Sequence, residues 1–266
     1  MSAPTSPRAA TVPAARPAET ARQWLPHQHG AWAMLAVPFL LGVAAGTPGL
    51  WQLVLAVASV LGYLASATGQ AWLRARRRDP FTLPLVVYGV AFAVLGVALV
   101  VAFPALLLTL AVLGPTTALI VAGAKPGTRR DLVNSLAQAL QALVLVPAAA
   151  WVSGAFEPRV VATATAVGAA YLIGTVLVVR SVLRERNSTA FTGLSVGFHA
   201  VLVVPAVLLG PAWVAVALWL TARAAALPTI ARRRAGTPRP LKPAHVGAVE
   251  AVGSVAVVLV AFLAPR

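Results

Sequence analysis

A chain of 266 residues that is 59% hydrophobic and only 10% charged is not a soluble globular domain, where about a quarter of residues are charged. Its net charge of +15 does not make it a nucleic-acid binder, because the basic residues are dispersed at the ends of apolar stretches instead of forming a face that reads bases. The absence of cysteine excludes disulfides, thiolate metal sites and thiol nucleophiles.

Residues 1–22 are rich in Ala, Pro, Thr and Arg and lack an apolar h-region, which predicts a disordered cytoplasmic tail and not a cleavable signal peptide. Residues 23–266 are expected to form a single transmembrane helical domain. At roughly 20 apolar residues per crossing, nine spans follow: 30–46, 51–73, 83–103, 105–123, 132–153, 160–180, 193–210, 212–230 and 244–264. The first, third, fifth and seventh connections are short and carry turn residues such as Pro48, Gly49, Pro104, Gly154, Gly210 and Pro211. Spans three and four, and spans seven and eight, are expected to be tight antiparallel hairpins.

Nineteen of the 21 basic residues lie before span one, at every second connection or, for Arg223, in the half of span eight that leads to one, and only Arg159 and Arg266 lie on the other side. Short positive loops resist translocation, which places the N-terminus inside and the C-terminus outside. The expected location is a bacterial cytoplasmic membrane, since the Ala/Arg/Pro bias fits a high-GC bacterial coding sequence. Lipid is the expected surroundings, with each basic residue near anionic headgroups contributing about 1 kcal/mol. An offset of 108 residues aligns Tyr63-Leu64 with Tyr171-Leu172, Gly46 with Gly154 and Gly89 with Gly197. It maps spans one to four onto spans five to eight, a 4+4+1 arrangement of the parallel-repeat kind.

Polar groups inside a bilayer face the bundle interior or a cavity. In span two, Ser59, Tyr63, Ser66, Gln70 and Arg74 form a stripe, and in span five Asp131, Asn134, Ser135, Gln138 and Gln141 form another. Tyr171, Thr175, Arg180 and Arg184 follow in span six, His199 in span seven, Arg223 in span eight, and His245 with Glu250 in span nine. The outer halves hold only isolated uncharged groups such as Gln52 and Thr109. A cavity open to the cytoplasm is the expectation. Its ligand-binding candidates are Arg74, Gln70, Asn134, Gln138, Arg180, Arg184, Arg223, His245 and His29; Glu250 and His199 are the candidate general bases. The plainer alternatives are hydrogen bonding between neighbouring helices and a structural Arg223–Glu250 ion pair. His27, His29, His199 and His245 have no spacing of a zinc or iron motif, so neither a metal nor a haem cofactor is predicted.

Residues 26–34 (Pro26-His27-Gln28-His29-Gly30-Ala31-Trp32-Ala33-Met34) and 38–42, with further matches at 180–186 and 242–250, resemble the YwiC-like family of bacterial membrane proteins. That resemblance implies an integral membrane protein without implying a reaction. The layout is also similar to the UbiA family of intramembrane prenyltransferases, whose Asp-rich motifs after spans two and six hold a Mg²⁺-bound isoprenyl diphosphate. Here those connections offer only Asp79 and Glu185, which leaves no paired carboxylates for such a metal. Arg74, Arg180 and Arg184 are expected to hold an anionic headgroup directly. Three functions compete on these grounds: a binding protein or enzyme for an anionic amphiphile (isoprenoid, quinone precursor or lipid), a transporter with spans interrupted at Pro38, Pro84, Pro147 and Pro205, and a membrane scaffold or assembly subunit.

Overall fold

A computed structural model describes residues 24–25, 29–75, 78–123, 132–237 and 240–264. The predicted tail, His27, the basic residues Arg76, Arg77, Lys125, Arg129, Arg130 and Arg239, and Asp131 lie outside them.

The apolar windows are helices, as they must be where no water satisfies the backbone. In chain order they are α1 (His29–Ala45), α2 (Leu50–Arg74), α3 (Asp79–Ala102), a 3₁₀ turn (Pro104–Thr109), α4 (Leu110–Ala122), α5 (Leu132–Leu143), α6 (Leu145–Trp151), α7 (Pro158–Leu183), α8 (Thr189–Leu209), α9 (Pro211–Arg234) and α10 (Pro243–Leu263). Eight helical stretches among the described residues are long and apolar enough to cross a membrane, and the shorter Trp32–Ala45 is equally apolar in character. The chain is an all-α, multi-pass membrane bundle. Helices α7, α8 and α9 extend three or four residues further toward the basic connections than the apolar windows suggest, because charged and polar residues continue a helix that hydropathy alone would end.

Helix α1 lies at the centre, packed against α5, α6, α7 and α10. Gly42 of α1 and Gly46 just past its end stand about one turn apart, and a Cβ on Gly42 would run into the Val146 carbonyl and the Ala149 side chain of α6. Small residues at this spacing let two backbones approach closely, the main source of helix association where lipid is as apolar as the side chains. Val37 and Leu41 of α1 join Val146, Leu172, Leu220 and Val257 in the principal core. Gln52, which looks isolated in the sequence, is buried. It accepts from the Gly49 N–H at 3.0 Å and donates to the Ala149 carbonyl at 3.0 Å, fastening the start of α2 to α6.

Two expectations change. The seventh and eighth spans, α8 and α9, do pack closely as a hairpin, but the third and fourth, α3 and α4, do not. Instead α3 lies along α2, and α4 lies along α5. The six residues of the 3₁₀ turn between them run directly into α4, and the two together form one apolar stretch, Pro104–Ala122. Leu106 anchors that turn in a core with Leu99, Ala148 and Val152. The two halves of the proposed repeat therefore differ in pairing, and the difference opens a cleft. Second, Pro38, Pro84 and Pro205 sit within continuous helices. The fifth span alone among the described ones breaks, at Val144, where Pro147 has no N–H to bond the Leu143 carbonyl.

Candidate functional site

The cleft lies between the α2–α3 pair and the α4–α5 pair and has a volume of about 680 Å³, within the range of roughly 300–1,000 Å³ usual for ligand sites. Along α2 it is lined by Leu55, Ala58, Ser59, Gly62, Tyr63, Ser66 and Gln70. Their three- and four-residue spacing gives one face about 22 Å long at 1.5 Å per residue. Phe92, Gly96 and Leu99 of α3 close one side, Leu106, Thr109 and Leu110 the end away from the basic connections, and Gln138, Gln141 and Leu145 the opposite wall. The walls are largely apolar. Polar groups concentrate toward the end where the basic connections lie: Ser66, Gln70 and Gln138, with Arg74 one turn beyond Gln70 at the end of α2.

Two members of this lining hold the pairs of helices in place. Gln141 donates to the Thr117 hydroxyl at 2.8 Å, joining α5 to α4. The Tyr63 ring meets Trp32 edge-on at 5.4 Å between centroids, joining α2 to α1. The Tyr63 hydroxyl itself is buried and has no protein hydrogen-bond partner among the described residues. It belongs to the polar stripe visible in the sequence, yet hydroxyl depth and lack of a partner are properties of the packing, and it was not among the predicted ligand contacts.

A second constellation is separate from the cleft. Arg223 of α9 and Glu250 of α10 form a buried ion pair. Thr175 of α7 donates to the same carboxylate oxygen at 3.0 Å. The Tyr171 hydroxyl bonds the Glu250 carbonyl at 3.1 Å and Ser254 at 2.7 Å. The Arg223 guanidinium carbon stands 5.8 Å from the Trp219 ring centre and 6.0 Å from that of Tyr171. His199 of α8 is also buried, its Nδ1 2.7 Å from the Ser195 carbonyl. Its Nε2 faces Gly174 of α7, where an added Cβ would lie 2.6 Å away. His199 is ten residues from either end of α8, so it is at mid-helix.

The predicted site residues thus divide. Gln70 and Gln138 line the cleft, while Arg223, Glu250 and His199 belong to the inner cluster. Asn134 is buried against the end of α4, its Cγ 3.2 Å from where a Gly123 Cβ would stand. Arg180 pairs with Glu185 at 3.4 Å, and Arg184 is an exposed C-cap of α7. His245 is exposed and accepts from its own helix's Lys242 N–H at 3.2 Å. His29 opens α1, but its side chain lies outside the described residues. Among the described residues no group of three His, Asp or Glu could hold a metal ion.

The model of the family described as YwiC-like protein matches residues 25–150, a segment that contains every residue named above as lining the cleft. The chain is also similar to the "Uncharacterized protein YwiC" of Bacillus subtilis (strain 168), with 30% identity over 198 residues, or 71% of this chain and 79% of the relative. No solved structure matches the chain. On the match to the family model and the extent of the similarity to its Bacillus relative, the chain belongs to the YwiC-like family.

Proposed function

We propose that this membrane protein binds an amphiphile in the cleft between the α2–α3 and α4–α5 pairs. Its apolar tail lies along the leucines and Phe92, and its polar head lies toward Gln70, Gln138 and Arg74. In this reading residues 1–22 are a cytoplasmic tail, residues 23–266 form one transmembrane unit in a bacterial cytoplasmic membrane, and the basic connections face the cytoplasm. An anionic head, such as that of an isoprenoid, a quinone precursor or a lipid, is favoured by the arginine at that end.

The observation that carries this reading is the Tyr63 hydroxyl, buried in the lining of an apolar cleft without a protein partner among the described residues. Buried hydroxyls are ordinarily hydrogen-bonded, and a ligand's polar atom at this depth would satisfy it. The test is native mass spectrometry of the full chain released from mild detergent. A stoichiometric amphiphile is expected in the wild type and is expected to be lost in Gly96→Leu, whose new side chain enters the cleft at a position with nothing within 4 Å of its Cβ. Wild-type protein carrying only bulk phospholipid, or ligand retained in Gly96→Leu, would remove the reading.

A transporter is the second reading, favoured by one observation. The break at Val144 borders the cleft, where Val144 and Leu145 are lining residues, and broken helices beside a site are common in transporters. Accumulation of a labelled amphiphile in one leaflet of proteoliposomes would favour it over simple binding.

A further inference from the structure

We propose that Glu250 is a proton-binding site reached from the basic end of the bundle alone, through a buried file of polar groups on α8. The site is distinct from the cleft, and none of its residues lines it.

The file begins where α8 and α9 meet the basic connections. There Arg232 donates to the Thr192 hydroxyl at 3.1 Å, and Thr192 is buried. One turn deeper the Ser195 hydroxyl is fully buried with no protein partner among the described residues. One turn deeper again is His199, 2% exposed. Thr192, Ser195 and His199 recur at three- and four-residue spacing and share one face over about 10 Å. On that face the rest of α8 is apolar toward the opposite end, where Ala206 is the next buried residue.

The hydrogen bonding of His199 fixes which nitrogen can take a proton. A carbonyl oxygen only accepts, so Nδ1 carries the hydrogen that it shares with the Ser195 carbonyl, and Nε2 of the neutral ring presents a lone pair. That lone pair is turned to Gly174 of α7, where the absence of a Cβ is what admits the ring. The next residue, Thr175, donates to Glu250. Carboxylate oxygen Oε2 receives both Thr175 and Arg223, while Oε1 is buried with no protein partner among the described residues.

The groups facing Glu250 are few. From α9 comes Arg223, from α7 come Tyr171 and Thr175, from α10 itself comes Ser254, and His199 stands behind Gly174. Helix α1, packed against both α7 and α10, presents no titratable group among its described side chains. Beyond Ser254 the interior is apolar: Val216, Leu220, Leu172 and Val257. The described residues place no polar file toward the opposite end. A proton from water at the basic end therefore passes inward by Ser195, is taken up on Nε2, the one lone pair of the His199 ring, and is released from that same nitrogen toward Glu250. It arrives on Oε1, the carboxylate becomes a neutral carboxyl, and Arg223 keeps its own charge.

Infrared difference spectroscopy on the full chain in lipid nanodiscs tests this. On stepping from mildly alkaline to mildly acid pH, a carboxylic C=O band should rise reversibly, be absent in Glu250→Gln, and rise about a hundredfold more slowly in His199→Gln, the loss usual for removing a proton-transfer group. A wild type with no such band, a band that persists in Glu250→Gln, or an unchanged rate in His199→Gln would overturn the proposal. If Glu250→Gln does not fold, Glu250→Asp keeps the carboxyl on a shorter side chain, and a band unmoved in frequency would overturn it equally. Occupancy of the cleft does not enter this readout, so failure here and failure of the amphiphile reading are distinguishable.

Discussion

The guanidinium of Arg223 on α9 closes directly on the carboxylate of Glu250 on α10, 11 residues from the basic end of α9 and seven from that of α10. An isolated charge at such depth costs several kcal/mol; in the ionised pair each side neutralises the other, Thr175 adds a hydrogen bond to Oε2, and the Trp219 and Tyr171 rings flank the guanidinium. Arg223→Met should therefore destabilise the protein by about 3–5 kcal/mol, as removal of one partner of a buried pair does. Adding Glu250→Gln to it should recover most of that loss. Denaturant unfolding of the singles and the double would measure it, and additive losses would show that the two side chains do not depend on each other.

Gly174 and His199 make a second coupled pair, held by shape alone. Because a Cβ at 174 would stand 2.6 Å from Nε2, Gly174→Ala should displace the imidazole and cost about 1–3 kcal/mol, the usual range for overpacking. His199→Ala in the same chain should relieve the clash. A double variant no more stable than Gly174→Ala would place the cost in the α7 backbone instead.

Gly42 should be the least tolerant glycine in the bundle. Its neighbours are the Val146 backbone carbonyl and Ala149, neither of which can swing aside, so Gly42→Ala has to part α1 from α6. Gly89 of α3 has nothing within 4 Å of an added Cβ, and Gly89→Ala should be neutral or stabilising by up to about 1 kcal/mol through helix propensity. Thermal unfolding in detergent separates the two, and equal tolerance would contradict the central position of α1.

Gln52→Leu preserves bulk and removes both hydrogen bonds that fasten α2 to α6. The Ala149 carbonyl and the Gly49 N–H would each lose a partner, at an expected cost of about 1–3 kcal/mol. Hydrogen exchange should show the first turn of α2 opening while α9 is unchanged. Protection unaltered at both places would mean that the apolar contacts of Leu55 and Ala58 suffice.

How much of this was legible beforehand differs between elements. The hydropathy of nine windows and the absence of soluble-domain charge determined an all-α membrane bundle, because a backbone in lipid has few other ways to satisfy itself. The recurrence of Ser59, Tyr63, Ser66 and Gln70 marked a polar face on α2 by period alone. The pairing of Arg223 with Glu250 was legible as an alternative, since each is the obvious neutralising partner for the other at depth.

Only the tertiary structure decided which helices lie side by side. Nothing in Phe103-Pro104 distinguishes a tight hairpin from a connection after which α3 and α4 pack on different partners, because that choice rests on Leu106 finding a core with Leu99, Ala148 and Val152. The same packing divided one expected cavity into an apolar cleft at Gln70 and Gln138 and a closed cluster at Arg223, Glu250 and His199. Periodicity determines the face a residue occupies on its own helix; what stands opposite that face is set by contacts between residues far apart in the chain, and a single sequence does not encode those locally.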